Sequence, residues 1–158
     1  MVCGFPAVLR GQSNGQKLNI AFIGCGGHGA ENITALASEN VVALCDVNAN
    51  NLNAAAQQFP SAKTYRDFRK MLEQKDIEAV VISTPDHTHA VAALAAIRSG
   101  RHVYCETPLT HTVSEARLIA QAAREHKVAT QMGNLVHSAD GTRVAVEWIQ
   151  AGIIGPVG

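Results

Sequence analysis

Leu18-Asn19-Ile20-Ala21-Phe22-Ile23-Gly24-Cys25-Gly26-Gly27-His28-Gly29 decides how this chain folds. An apolar run of strand length ends in a turn of the form G-x-G-x-x-G, and a helical pattern follows. Gly24 permits the tight turn out of the strand. Gly26 removes the Cβ that would block an approaching phosphate, and Gly29 lets the helix pack close to the strand. Gly27 and His28 complete the turn, with His28 placed either to touch a phosphate or to face solvent. A helix starting there presents unpaired N–H groups and about half a positive charge to an anion. Strand, glycine turn and helix in that order suit a dinucleotide pyrophosphate; a glycine-rich turn without a ligand is the plainer alternative.

Asp46 supports the dinucleotide reading. It ends a second apolar run, Val41-Val42-Ala43-Leu44-Cys45. That places it about 20 residues after the glycine turn, where an acidic side chain meets the adenosine ribose hydroxyls. A carboxylate there repels a 2′-phosphate, and the next residues, Val47, Asn48, Ala49 and Asn50, include no arginine. NAD is therefore expected over NADP. A strand-end turn, or an N-cap for the next helix, is the alternative for Asp46.

Strand and helix patterns alternate along the rest of the chain. Helices are expected over about residues 27–38 and 50–59, the second with Leu52, Ala55, Ala56 and Phe59 on one stripe and Pro60 as its stop. A short strand over 62–64 leads to a helix carrying Phe68, Met71 and Leu72. Ala79-Val80-Val81-Ile82-Ser83 reads as a central parallel strand. The following helix carries Val91, Leu94 and Ala95 and ends at Gly100. A fifth strand covers 102–105, and Thr112-Val113-Ser114-Glu115 opens a helix with a capping box that runs to about residue 126. A sixth strand is expected over 128–131 and a last helix over 138–151, with Val144, Trp148 and Ile149 on one face. The fold class is α/β: a doubly wound, parallel, six-stranded Rossmann sheet in the order 3-2-1-4-5-6. Right-handed crossovers bring Gly24, Asp46, Thr84, Glu106 and residues 131–134 to one rim. Residues 1–17 read as a leader punctuated by Pro6, Gly11 and Gly15, and residues 18–158 as the nucleotide-binding domain.

The composition narrows the function classes. Lys plus Arg equals Asp plus Glu at 13 each, so a net charge of zero offers no footprint for nucleic acid or an anionic membrane. Aromatics are only 4%, and small aliphatic residues carry the core. Cys3, Cys25, Cys45 and Cys105 form no C-x-x-C pair. They read as buried free thiols in a reducing, cytoplasmic compartment. The leader holds no twin arginine, and the remnant of a longer export signal is its alternative reading.

Further along, several motifs coincide. Thr84-Pro85-Asp86-His87-Thr88-His89 fits T-P-x-x-x-H, and Tyr104-Cys105-Glu106-Thr107-Pro108-Leu109 is close to E-K-P-L. The segments Gln131-Met132-Gly133-Asn134-Leu135-Val136-His137-Ser138 and Ile154-Gly155-Pro156 complete the set. With the glycine turn, these resemble the N-terminal half of the Gfo/Idh/MocA oxidoreductases, over residues 18–156. The resemblance implies an NAD-dependent dehydrogenase domain acting on a sugar or polyol CH–OH group. It places Thr84 and Pro85 along the cofactor beside its nicotinamide half, His89 at the start of the helix after them, and Glu106 and Pro108 by the nicotinamide ribose. Asn134 and His137 face the active-site side. Histidine's chemistry makes His137 a candidate acid/base group, with a solvated loop histidine the favoured reading for this domain alone.

Two departures qualify the catalytic expectation. Thr107 stands where the family carries Lys, whose cationic head stabilises developing charge. The sequence stops at Gly158, before the family's substrate domain, so the expected species is a truncated cofactor domain, mostly monomeric, that is not catalytically complete by itself. A stand-alone or engineered dinucleotide-binding module without catalysis is the alternative. No metal is expected: His87 and His89 point apart on a helix, and Asp86 reads as the N-cap there. Cys105 reads as packing, and Trp148 as core or as the face for a further domain. A methyltransferase would place a third glycine at position 28, which is His.

Overall fold

The computed structural model describes residues 17–156. Six parallel strands form one sheet in the order β3-β2-β1-β4-β5-β6. They are β1 Asn19–Ile23, β2 Asn40–Cys45, β3 Lys63–Tyr65, β4 Ala79–Ile82, β5 His102–Glu106 and β6 Thr130–Gly133. The helices are α1 His28–Ala35, α2 Ala49–Gln58, α3 Phe68–Met71, α4 His89–Arg98, α5 Val113–His126 and α6 Asp140–Gln150. The expected fold class and strand order are both observed.

Successive side chains of a strand point to opposite faces, so one strand feeds two cores. Ala21 and Ile23 of β1, with Val80 and Ile82 of β4, join Met71 and the alanines of α4 on one face. Ile20, Phe22 and Val81 join Ile33 of α1 and Leu52 of α2 on the other. Ala90, Ala93, Ala96 and Ile97 of α4 are fully buried or nearly so. Their small volumes let this helix lie close to the sheet while α5 covers it. Among the described residues, no helix is long and apolar enough to cross a membrane.

Several boundaries differ from expectation, each for a local reason. β6 begins at Thr130, because Lys127 takes the left-handed conformation (φ 55°) that ends α5, and the Val128 N–H turns back to the Ala123 carbonyl. β3 runs one residue later than expected, pairing Lys63–Tyr65 with Ala43–Cys45. α1 stops at Ala35, where Leu36 becomes its C-cap. Leu135–Ser138 is a 3-10 turn, so α6 starts only at Asp140. Asp86 does not cap a helix: it opens a 3-10 turn, Asp86–Thr88, whose N-cap is Pro85, and no side-chain cap bond forms there. The capping box at Thr112 is complete, with the hydroxyl accepting from the Glu115 N–H and Glu115 Oε2 accepting from the Thr112 N–H. Trp148 is 56% exposed and α6 has no buried residue, which removes the core reading of Trp148. The leader reading, at 1–17, falls almost wholly outside the described residues, as does Cys3; the other three cysteines are buried free thiols.

Candidate cofactor site

The C-terminal ends of β1, β2 and β4 converge on the glycine turn, and three of its four glycines lack room for a Cβ. Gly24 has φ +90°, and a Cβ on it would lie 2.4 Å from the Ser83 carbonyl oxygen. A Cβ on Gly29 would lie 2.2 Å from the Gly24 carbonyl oxygen. A Cβ on Gly26 would meet the Asn51 amide at 2.3 Å. Gly27 has φ +52° and open space around it, so only its backbone conformation favours glycine.

Asp46 is built into this turn. Its Oδ2 accepts from the Cys25 N–H at 2.8 Å, and its Oδ1 from the Asn48 N–H at 2.8 Å. Asn51 Nδ2 also reaches Oδ2, at 3.5 Å. A carboxylate offers about four acceptor positions, so one stays open to a ribose hydroxyl and a second hydroxyl would displace the long Asn51 contact. Asn48 in turn caps α2 by accepting from the Asn50 N–H. Burial, and then the adjacent Asp46 charge, push the Cys25 and Cys45 thiols up to about 12. They are protonated packing groups, not nucleophiles.

Two cavities flank the turn. One, of about 540 Å³, lies on the β2 side of the turn and is bordered by Gly26, Asp46, Val47, Arg66 and Pro85. The other, of about 290 Å³, is bordered by His28, Asp86, Glu106, Thr107 and Asn134. Ser83 and Thr84 line both. A mostly apolar hollow of about 540 Å³ on the open face of β4–β6, bordered by Val81 and Tyr104, lies away from the glycine turn.

Glu106 is 8% exposed, and its Oε1 accepts from Asn32 Nδ2 at 2.8 Å. Asn32 also donates to Ser83 Oγ at 3.0 Å, so α1 ties together the rims of β4 and β5. His28 stands between two carboxylates: Nδ1 is 2.6 Å from Glu31 Oε2 and Nε2 is 3.4 Å from Glu106 Oε1. Burial, followed by the neighbouring Glu106 charge, pushes the Tyr104 phenol up. It pushes the Cys105 thiol up to about 12, in keeping with a packing role. Gly133 is glycine because a Cβ there would lie 2.5 Å from both Glu106 Oε2 and the Tyr104 hydroxyl.

Of the residues singled out from sequence, Gly24, Gly26, His28, Asp46, Thr84, Pro85, Glu106, Thr107 and Asn134 border the two cavities. Gly27 and Gly29 shape the turn between them. Pro108 is exposed and contributes its carbonyl to the ring of His89. His89 also borders the smaller cavity but is 1% exposed, with both ring nitrogens engaged by backbone. His137 is exposed on its 3-10 turn and borders neither cavity. No cluster of metal-ligating residues occurs among the described residues.

Arg66 is a residue the sequence reading missed. It follows β3 directly, and the Asp46 N–H donates to the Tyr65 carbonyl, which sets Arg66 beside Asp46. Its Nη2 donates to the Val47 carbonyl at 2.7 Å. The strand order contained the signal: in a 3-2-1 sheet, the residue after β3 is the rim neighbour of the residue after β2.

Fold and rim together define a dinucleotide-binding domain of the doubly wound type. The comparisons then give the family. Residues 18–134 match the GFO_IDH_MocA family model, described as "Oxidoreductase family, NAD-binding Rossmann fold". The chain belongs to this family. It is 30% identical over 144 residues to an inositol 2-dehydrogenase of Salmonella typhimurium, a match covering 87% of this chain and 43% of that protein. It superposes on myo-inositol 2-dehydrogenase from Lactobacillus plantarum with a TM-score of 0.80 at 26% identity, covering 90% of this chain and 43% of that one. Against scyllo-inositol dehydrogenase from Lactobacillus casei, solved with bound NAD(H) and scyllo-inositol, the TM-score is 0.78 at 25% identity, covering 89% and 43%. The chain thus spans less than half the length of these relatives and corresponds to their N-terminal, NAD-binding part.

Proposed function

We propose that this chain binds NAD in preference to NADP across the rim, as the cofactor domain of a dehydrogenase acting on a sugar or polyol CH–OH group. The observation that carries this reading is the pair of cavities joined through Ser83 and Thr84, with Asp46 at one end and Glu106 at the other. Asp46 would take the ribose hydroxyls, the glycine turn and α1 N-terminus the pyrophosphate, and the Glu106–Thr107 end the nicotinamide ribose and ring. NAD, when bound, supplies the hydride acceptor; the protein's part is to hold and aim it. The sugar or polyol substrate follows from the named relatives, among them a levoglucosan dehydrogenase of Pseudarthrobacter phenanthrenivorans.

The test is a calorimetric titration of the chain with NAD and with NADP, beside Asp46→Ala. Removing the charged acceptor is expected to weaken NAD at least about 10- to 100-fold, the loss of a single charge-assisted bond at roughly 1.5–3 kcal/mol. No NAD binding by the wild type, or NADP binding as well as NAD, would refute the proposal. Thr107 favours a second reading, cofactor binding without turnover, because neither Lys nor Arg borders the Glu106 cavity. Formation of NADH from NAD with inositols or sugars discriminates: turnover by this chain sinks the second reading.

A further inference from the structure

Past the last paired residues of β4 and β5, Ile82 and Cys105, the chain makes two turns toward the Glu106 cavity. One carries Thr84 and Pro85, the other Thr107 and Pro108. Among the described residues, no backbone hydrogen bond joins 84–85 to 107–108. A side chain joins them instead. His89 opens α4 beneath both turns, with Nε2 2.7 Å from the Thr84 carbonyl oxygen and Nδ1 2.7 Å from the Pro108 carbonyl oxygen. Both oxygens only accept, so a neutral ring satisfies one and an imidazolium satisfies both. Burial at 1% exposure shields these bonds from competing water and limits the ring's freedom. On the Thr84 side a second contact braces the turn: Thr88 Oγ1 lies 2.8 Å from Thr84 Oγ1 and 2.7 Å from the Pro85 carbonyl oxygen.

We infer that His89 is a positioning residue: its ring sets the separation of the Thr84 and Thr107 turns, and so the width of the nicotinamide end of the site. The inference rests on the NAD reading above. Nothing in the geometry gives the ring a polar atom to offer a ligand, since both nitrogens already face backbone carbonyls. The adenosine end has separate supports, in Asp46, Asn48 and the glycine turn. Thr84 and Pro85 also border the Asp46 cavity, but Thr88 braces that turn independently of the ring. Loss of His89 therefore frees chiefly the Thr107–Pro108 turn, and its effect falls mainly on the nicotinamide half.

That locality provides the test. Wild type, His89→Ala and His89→Gln are titrated with NAD and with ADP-ribose, which lacks the nicotinamide ring, and each is melted thermally. The wild type binds both, NAD more tightly. In His89→Ala the affinity for NAD falls about tenfold, the scale of losing one or two buried hydrogen bonds, while that for ADP-ribose changes less than about threefold. His89→Gln, which keeps an amide donor for one carbonyl, falls between. Equal losses for both ligands, or no loss for either, would make the ring a general packing group and overturn the inference. So would a wild type with no preference for NAD over ADP-ribose, or loss of the cooperative melt in both variants. A wild type that binds neither ligand overturns the NAD reading itself, and the inference with it.

Discussion

Gly29→Ala is the sharpest probe of how this site is built. The added Cβ would sit 2.2 Å from the Gly24 carbonyl oxygen, 2.9 Å from its carbonyl carbon and 3.3 Å from Ser83 Cβ. Ordinary contact begins near 3.4 Å, so α1 must retreat by roughly 1 Å from backbone that cannot rotate aside. Overpacking of this kind costs about 1–3 kcal/mol, and the backbone obstacle places it near the upper end. For a domain of this size, about 2–3 kcal/mol lowers Tm by roughly 6–10 °C. The same retreat draws the first N–H groups of α1 away from the pyrophosphate position, so NAD affinity falls at least about tenfold. Two controls isolate the steric cause. Gly27→Ala meets no atom within 4 Å and carries only its positive φ, a cost of about 1–2 kcal/mol. Gly141→Ala also meets nothing, and in α6 gains about 0.5–1 kcal/mol of helix propensity. Differential scanning calorimetry of the three variants should give the order Gly29→Ala, Gly27→Ala, Gly141→Ala from least to most stable. A Gly29→Ala domain as stable as Gly27→Ala would refute the close-approach argument.

The remaining predictions concern the thiols and a helix cap. Burial raises Cys25, Cys45 and Cys105 from 9.0 to about 12, so below pH 9 folded and unfolded chains both keep these protons and nothing is lost. Between pH 9 and 12 only the unfolded chain ionises; at pH 10 each thiol costs about 1.4 kcal/mol and the three together about 4. Urea melts at pH 8 and 10 should show that loss, and equal midpoints would contradict it. Thr112→Ala removes the acceptor for the Glu115 N–H and half of the capping box. It should lower stability by about 1 kcal/mol while leaving NAD affinity unchanged, read by the same melts and titration.

The sheet order was legible because the strands announce themselves in two ways. β1 and β4 are short continuous apolar runs, as strands buried on both faces must be. The intervening helices show a 3.6-residue stripe, as over Leu52, Ala55, Ala56 and Phe59, or a cap, as at Thr112; the cap of α2 proved to be Asn48, not Asp46. Boundaries were less legible where a single backbone conformation decides them. Lys127 in the left-handed region delays β6, and no residue-type rule marks lysine for that role. The rim positions followed from the strand ends, so Gly24, Asp46, Thr84 and Glu106 were reachable from sequence. His89 and Arg66 were harder. The first lies beneath the rim and meets a carbonyl 19 residues away; the second follows the shortest strand of the sheet. Both depend on which turns stand side by side, a property of strand order and not of any local motif. The core reading of Trp148 failed for the opposite reason: its helical stripe is genuine, but α6 lies outside the two cores that the sheet creates.

Asp46 shows how closely binding and folding share atoms at this rim. The carboxylate that would meet the ribose already accepts from Cys25 of the glycine turn and from Asn48 at the start of α2. Substitution by alanine therefore does two things at once. It removes the ribose acceptor and its charge, and it releases the Cys25 N–H that shapes the pyrophosphate turn and the Asn48 N–H at the start of α2. The second effect weakens every dinucleotide alike, because the pyrophosphate is common to NAD and NADP. The first effect is specific to the ribose: NAD loses its partner, while the 2′-phosphate of NADP loses a repulsion and keeps Arg66 beside it. The ratio of the two affinities thus reports the charge on Asp46, whereas either affinity alone mixes that charge with the integrity of the turn. The ratio should move toward NADP in Asp46→Ala even if both affinities fall, and that movement separates recognition of the ribose from support of the fold.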